Sequence, residues 1–140
     1  MILDTNVLVS ALLVPSGTPG TIYRAWSEGA FTLLISEEQI AELRHTLSKP
    51  TLAARIRPHR AGRLVNDLRR LAEDVGPLPR VKRSPDPEDN FLLGMAEAGG
   101  MAEAGKADYL VTGDKSDLLA LVRHAGVRVL SAREVSSLVT

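Results

Sequence analysis

Short apolar runs that alternate with helix-start signals constrain this 140-residue chain more than any other feature. Met1 to Asp4 reads as a buried first strand that stops at the polar Asp4-Thr5-Asn6, expected as a loop. Phe31–Ile35, Leu78–Lys82, Tyr109–Thr112 and Val127–Leu130 predict further strands, the Leu78–Lys82 stretch being the weakest of them. Between them lie helical patterns. Residues 20–29 look helical, and Ser36-Glu37-Glu38-Gln39 is a capping box opening a helix with Ile40, Leu43 and Leu47 inward, which ends before Pro50. A short helix is expected over 51–57. A longer one from His59 to Asp74 puts Leu64, Leu68 and Leu71 on one face. Asp86-Pro87-Glu88-Asp89 opens another, with Pro at the first helical position and acids in the first turn. Ser116 to His124, stopped by Gly126, and Ala132 to Leu138 complete the set.

Strands alternating with helices predict an α/β fold, a three-layer α/β/α sandwich around a parallel sheet of about five strands. With 44% hydrophobic residues the chain can bury a core without covalent staples, and residues 1–140 are expected to form one domain. Ligand sites in such sheets lie beyond the carboxyl ends of the strands. The absence of cysteine excludes disulfides, thiolate metal sites and cysteine nucleophiles. No apolar run is long enough to span a bilayer and no signal-peptide pattern opens the chain, so a cytoplasmic protein is expected.

Net charge is zero, but its distribution is uneven. From Arg44 to Arg83 eleven basic residues face three acids, whereas from Ser84 to Asp117 eight acids face two lysines. A basic block followed by an acidic one suits a surface for phosphates beside a pocket for cations, although two solvated helical faces would look the same. Acids recur just after a strand or on the following helix: Asp4; Glu37, Glu38 and Glu42; Asp86, Glu88 and Asp89; Asp114 and Asp117. Converging carboxylates repel one another unless a cation neutralises them, and oxygen-only ligands select Mg²⁺ or Mn²⁺. Such ions acidify a bound water and steady charge on a phosphoryl group, which is phosphodiester hydrolysis. Most of these acids also have structural readings. Asp86 and Asp114 can cap helices, Asp89 and Asp117 can favour helix dipoles, and periodicity places Glu42 in solvent. Asp4 stands apart, because an acid ending a buried strand is costly without a partner.

Ile2-Leu3-Asp4-Thr5-Asn6-Val7-Leu8-Val9-Ser10-Ala11 resembles the opening of PIN-domain proteins, in particular the bacterial branch of toxin components of toxin–antitoxin pairs. The resemblance continues through Ser36 to Leu47, Asp86-Pro87-Glu88-Asp89-Asn90-Phe91 and Ala107-Asp108-Tyr109-Leu110-Val111-Thr112-Gly113-Asp114 with Asp117-Leu118. It implies a metal-dependent endoribonuclease cleaving single-stranded RNA with one or two Mg²⁺ or Mn²⁺ ions. By this resemblance Asp4, Glu42, Asp89 and Asp114 are the catalytic metal ligands, assisted by Asp117. Asn6 and Thr112 match polar residues that orient ligands or a metal-bound water, and Asp86 remains a helix cap. The resemblance also implies a cognate antitoxin and a homodimer. Two rivals stand beside this reading. A phosphatase of the haloacid-dehalogenase type needs a second aspartate two residues after the first, where Asn6 stands; a catalytically inactive PIN-fold module would bind RNA or protein only.

The hexapeptide Gly94–Gly99 is repeated at once as Gly100–Gly105, a departure from the family pattern. Gly99-Gly100 is expected to break the helix and let the surplus loop out, with a structural rather than catalytic consequence. His45, His59 and His124 lack metal-ligand spacing and are expected at the surface. Tyr23, Trp26 and Phe31 are expected in a core or interface, and the arginines from Arg55 to Arg70 offer contact to RNA, to a partner or to water.

Overall fold

The computed structural model describes residues 1–102, 109–113 and 116–139. Its elements run β1 (Ile2–Leu3), α1 (Thr5–Leu13), α2 (Thr18–Ser27), β2 (Leu34–Ile35), α3 (Glu37–Leu47), α4 (Pro50–Ala53), α5 (Pro58–Leu71), β3 (Glu73–Asp74), α6 (Pro87–Ala102), β4 (Tyr109–Thr112), α7 (Ser116–Leu121), β5 (Arg123–His124), β6 (Val127–Ser131) and α8 (Ala132–Val139). A four-stranded sheet has the order β1-β4-β6-β5, parallel except for the β5–β6 hairpin, and a separate parallel pair joins β2 to β3. The pair meets the sheet at its edge, where Leu34 N donates to Met1 O (2.8 Å).

Strand alternation divides the interior in two. Leu3, Val111 and Leu130 face one core, shared with Val7 and Leu8 of α1, Ile22 and Trp26 of α2, Leu43 of α3, Leu64 and Leu68 of α5 and Val135 of α8. Ile2, Leu110 and Val129 face the other, filled by Leu92, Leu93, Met95 and Ala96 of α6 and Leu118 of α7. This is the α/β/α layering expected of the sequence. The sheet is smaller than expected: four strands with a flanking pair, not five in one.

Besides α1, which starts where a polar loop was expected, three elements differ from the sequence expectation. The segment 78–82 is not a strand; Pro79, its second residue, has no N–H to give a ladder. The strand beside β2 is instead Glu73–Asp74, where Ala72 turns extended (ψ 157°) to end α5, and Glu73 N and Val75 N donate to Leu33 O and Ile35 O. The helix expected over 116–124 stops at Leu121, because Val122 (φ 62°) reverses the backbone and Ala125 (φ 51°) with Gly126 (φ 81°) closes a tight hairpin. Thirdly, α6 runs through Gly99-Gly100 to Ala102, so the expected break at the double glycine does not occur. Burial of Leu92, Leu93, Met95 and Ala96 against the sheet outweighs the roughly 1 kcal/mol each glycine costs a helix.

Candidate functional site

No loop separates β1 from α1. Asp4 is the N-cap itself: its Oδ1 accepts from Asn6 N (3.1 Å) while its backbone N donates to Val111 O (2.8 Å) of the neighbouring strand. The expected polar loop at Asp4-Thr5-Asn6 is therefore a helix start, which clamps the carboxylate between a strand ladder and a helix N-terminus. Parallel pairing of β1 with β4 aligns Leu3 with Val111 and brings Thr112, the following residue, beside Asp4. Thr112 Oγ1 donates to Asp4 Oδ2 (3.1 Å), and both residues are buried. Asn6 is exposed on the first turn of α1.

From the β2 side, Ser36 caps α3 by accepting from Gln39 N, and the buried Gln39 side-chain amide donates to Leu3 O. Glu42 lies one turn beyond Gln39 and is half-buried rather than solvated. Residues three apart on a helix share a face, so the Gln39–Glu42 edge is the one that reaches toward the end of β1.

Asp89 is held differently. It sits in the first turn of α6, buried, with Asp89 N and Asn90 N donating to Asp86 O. Ser84 Oγ donates to Asp89 Oδ2 (3.0 Å) and accepts from Asp86 N (3.3 Å). Asn90 folds back on the same loop, its Oδ1 accepting from Arg83 N and Ser84 N and its Nδ2 donating to Ser84 O. The loop is braced outside by Arg83, whose guanidinium donates to Arg123 O (2.8 Å) and reaches His124 Nδ1 (3.0 Å). Because arginine can only donate, that ring nitrogen accepts, and the ring proton on Nε2 points at Glu97 Oε2 (2.8 Å). His124 is thus a bridge with a side chain only 13% exposed, not the surface histidine expected from the sequence. His45 and His59 are exposed as expected.

Among the described residues no three Asp, Glu, His or Cys side chains form a group that could hold a metal ion, so Asp4, Glu42 and Asp89 do not complete a metal site by themselves. Asp114 and the side chain of Asp117 lie outside the described residues. The donors present fit a hard divalent cation in kind, being carboxylate oxygens steadied by hydroxyls and backbone amides. Thr5 Oγ1, next to Asp4, is the one buried side-chain polar atom among the described residues without a hydrogen-bond partner. A buried unpartnered hydroxyl costs about 1–3 kcal/mol, which leaves polar capacity unused beside the acid.

Ser84, Gln39 and Asn90 were not singled out by the sequence. Ser84 had a signal, since serine two residues ahead of an Asp-Pro helix start is a side-chain-to-backbone turn former. Gln39 was legible only as part of a capping box.

The N-terminal strand ends on a buried aspartate, its neighbour β4 ends on the hydroxyl that holds it, and a second buried aspartate opens α6. The chain matches the family model of the PIN domain over residues 1–116, and it belongs to the PIN-domain family. PIN domains are generally nucleases, usually dependent on divalent metal ions, and PIN nucleases act on RNA. No curated protein and no solved structure matches the chain. Among the described residues no helix is long and apolar enough to cross a membrane.

Proposed function

We propose that this chain is a metal-dependent endoribonuclease cleaving single-stranded RNA, the toxin of a toxin–antitoxin pair. The observation that carries the nuclease reading is Asp4: a carboxylate kept buried at a strand end, with Asn6 N on one oxygen and the Thr112 hydroxyl on the other. A buried carboxylate whose two oxygens are both set by neighbouring donors is a fixed ligand for a cation, and a metal-dependent phosphodiesterase needs such a ligand.

Asp4, Glu42, Asp89 and Asp114, with Asp117, would hold Mg²⁺ or Mn²⁺, which when bound acidifies water and offsets charge on the phosphoryl oxygens. Thr112 and Ser84 set the carboxylates of Asp4 and Asp89, and Asn6 stands exposed where it can orient a water or a substrate oxygen. Residues 1–140 would act as one domain. The toxin role, the antitoxin and the homodimer rest on resemblance to the bacterial branch of the family.

The deciding experiment is Mn²⁺-dependent cleavage of a mixed pool of single-stranded RNA by the purified protein beside its Asp4→Asn variant. Asparagine also caps helices, so the variant keeps its fold while losing the charge. Activity should fall by at least about a hundredfold in the variant, more than the 10–100-fold typical of residues that merely support a metal ligand. Intact RNA with folded, Mn²⁺-loaded wild-type protein would instead make this a PIN-fold module that binds RNA or protein without cutting.

A further inference from the structure

Between α3 and the loop that precedes α6 lies a groove of about 360 Å³ that nothing in the catalytic reading uses. One wall is Glu38 of α3, and the other is the loop carrying Arg80, Val81 and Lys82, with Asn90 and Phe91 of α6 at its end. Two of its residues are chain neighbours of groups that position the acids. Glu38 precedes Gln39, whose amide reaches Leu3 O, and Asn90 follows Asp89. The groove thus opens between α3, which carries Glu42, and the first turn of α6, which carries Asp89.

Its chemistry is uneven in a way that selects an occupant. Arg80 and Lys82 are exposed, and no ion pair within the described residues engages either of them. Arg69 and Arg70 of α5, by contrast, are paired with Glu37 and Asp67. Val81 and Phe91 are half-buried and pack on the core below, leaving an apolar and partly aromatic floor. Cations beside an apolar or aromatic floor recognise a single-stranded nucleotide: the base lies on the floor and the phosphate meets the cations. Glu38 fixes the direction, because a carboxylate repels phosphate and accepts hydrogen bonds from base N–H groups. Among the bases, guanine presents N1–H and N2–H₂ side by side, which suits both carboxylate oxygens at once.

We propose that this groove is the subsite for a nucleotide flanking the scissile phosphodiester, with Arg80 and Lys82 on its phosphates and Glu38 selecting a purine edge, guanine first. The proposal rests on the nuclease reading and adds the position and base preference of a substrate contact.

The test separates the two. Asp4→Asn protein in Mg²⁺ buffer is titrated into fluorophore-labelled single-stranded RNA oligomers, one carrying a single guanine in a uridine background and one uridine only, while cleavage is assayed with the unsubstituted protein. Adding Arg80→Ala and Lys82→Ala should weaken binding of both oligomers about tenfold and flatten the slope of log affinity against log salt by about 1.4, two phosphates at about 0.7 each. Adding Glu38→Ala instead should abolish the guanine preference and leave the salt slope unchanged. All three residues are exposed, so thermal midpoints should stay put and show that loss of binding is not loss of fold. Cleavage with unchanged affinity and slope in the double variant overturns the subsite and leaves the nuclease standing. A protein that neither cleaves nor binds RNA overturns both. A guanine preference that survives Glu38→Ala, with the slope lost as expected, overturns the assignment of Glu38.

Discussion

Asp4 and Asp89 are alike in what they expose and unlike in what holds them. Both are buried, and each takes a hydroxyl on Oδ2, from Thr112 at 3.1 Å and from Ser84 at 3.0 Å. Asp4 is fixed by backbone: strand register with β4 on one side and the start of α1 on the other. To move it the β1–β4 pairing must break, and with it contacts to both cores. Asp89 is fixed by side chains, a knot of Ser84, Asn90 and Arg83 at the end of a loop that packs outside the sheet. Local knots of this kind open at lower free energy than core strands. One aspartate is thus held by the strand framework, and the other stands where the chain can loosen by itself.

The largest effect expected on this comparison comes from Thr112→Val, which keeps the shape and β-branching but deletes the hydroxyl. RNA cleavage should fall roughly ten- to a hundredfold, the usual consequence of removing the group that orients a metal-bound carboxylate. Stability should fall too, by about 1–3 kcal/mol in a urea melt, because Asp4 Oδ2 loses a buried donor. An active, unchanged Thr112→Val protein would mean that strand register alone sets the carboxylate.

Asn90→Ala addresses the other half. It removes both acceptor contacts to Arg83 N and Ser84 N and the donor contact to Ser84 O. Cleavage should drop by about tenfold. Amide exchange should quicken across residues 83–90 and stay slow at Ile2–Leu3 and Leu110–Thr112. Equal quickening in both regions would erase the distinction between a strand-held and a loop-held acid.

The same contrast explains what could be read from the sequence. β1, β2, β4 and β6 were legible because each is apolar, and Asp4 was legible because it ends such a strand, whereas Thr112 entered only through the family resemblance. β3 was not, because both its residues are exposed and only backbone hydrogen bonds to β2 make it a strand. The β5 hairpin was hidden because the apolar period of α7 continues through Val122, and no pattern rule anticipates a β-branched residue at φ 62°. Glu42 was assigned to solvent by periodicity, yet its half-burial follows from Gln39, a polar residue on the inward face that periodicity discounts. Ser84 carried only the weak signal of a turn former, and its bond to Asp89 exists only once the loop folds onto the first turn of α6. Positions set by strand register leave a trace in apolar patterning; positions set by side-chain knots leave almost none.

The smallest effect lies furthest from the acids, at the brace. His124 accepts from Arg83 through Nδ1 and meets Glu97 through Nε2, so one neutral imidazole ties the loop before α6 to the helix itself. Glu97 belongs to the first copy of the duplicated hexapeptide, and this copy also places Gly94, where a Cβ would stand 3.0 Å from Pro79 O, against the loop. The first copy therefore carries the packing that shapes the Asp89 side. His124→Phe keeps a flat ring of similar size and removes both polar contacts. Arg83 keeps its bond to Arg123 O, so the loop should loosen without detaching: cleavage falls less than about threefold, within the span of a single hydrogen bond worth 0.5–1.5 kcal/mol. Amide exchange at Ser84 should rise while that at Leu3 does not. A much larger loss of activity, with Leu3 exchange also raised, would show that the brace reaches the strand-held half and that the two aspartates are one mechanical unit.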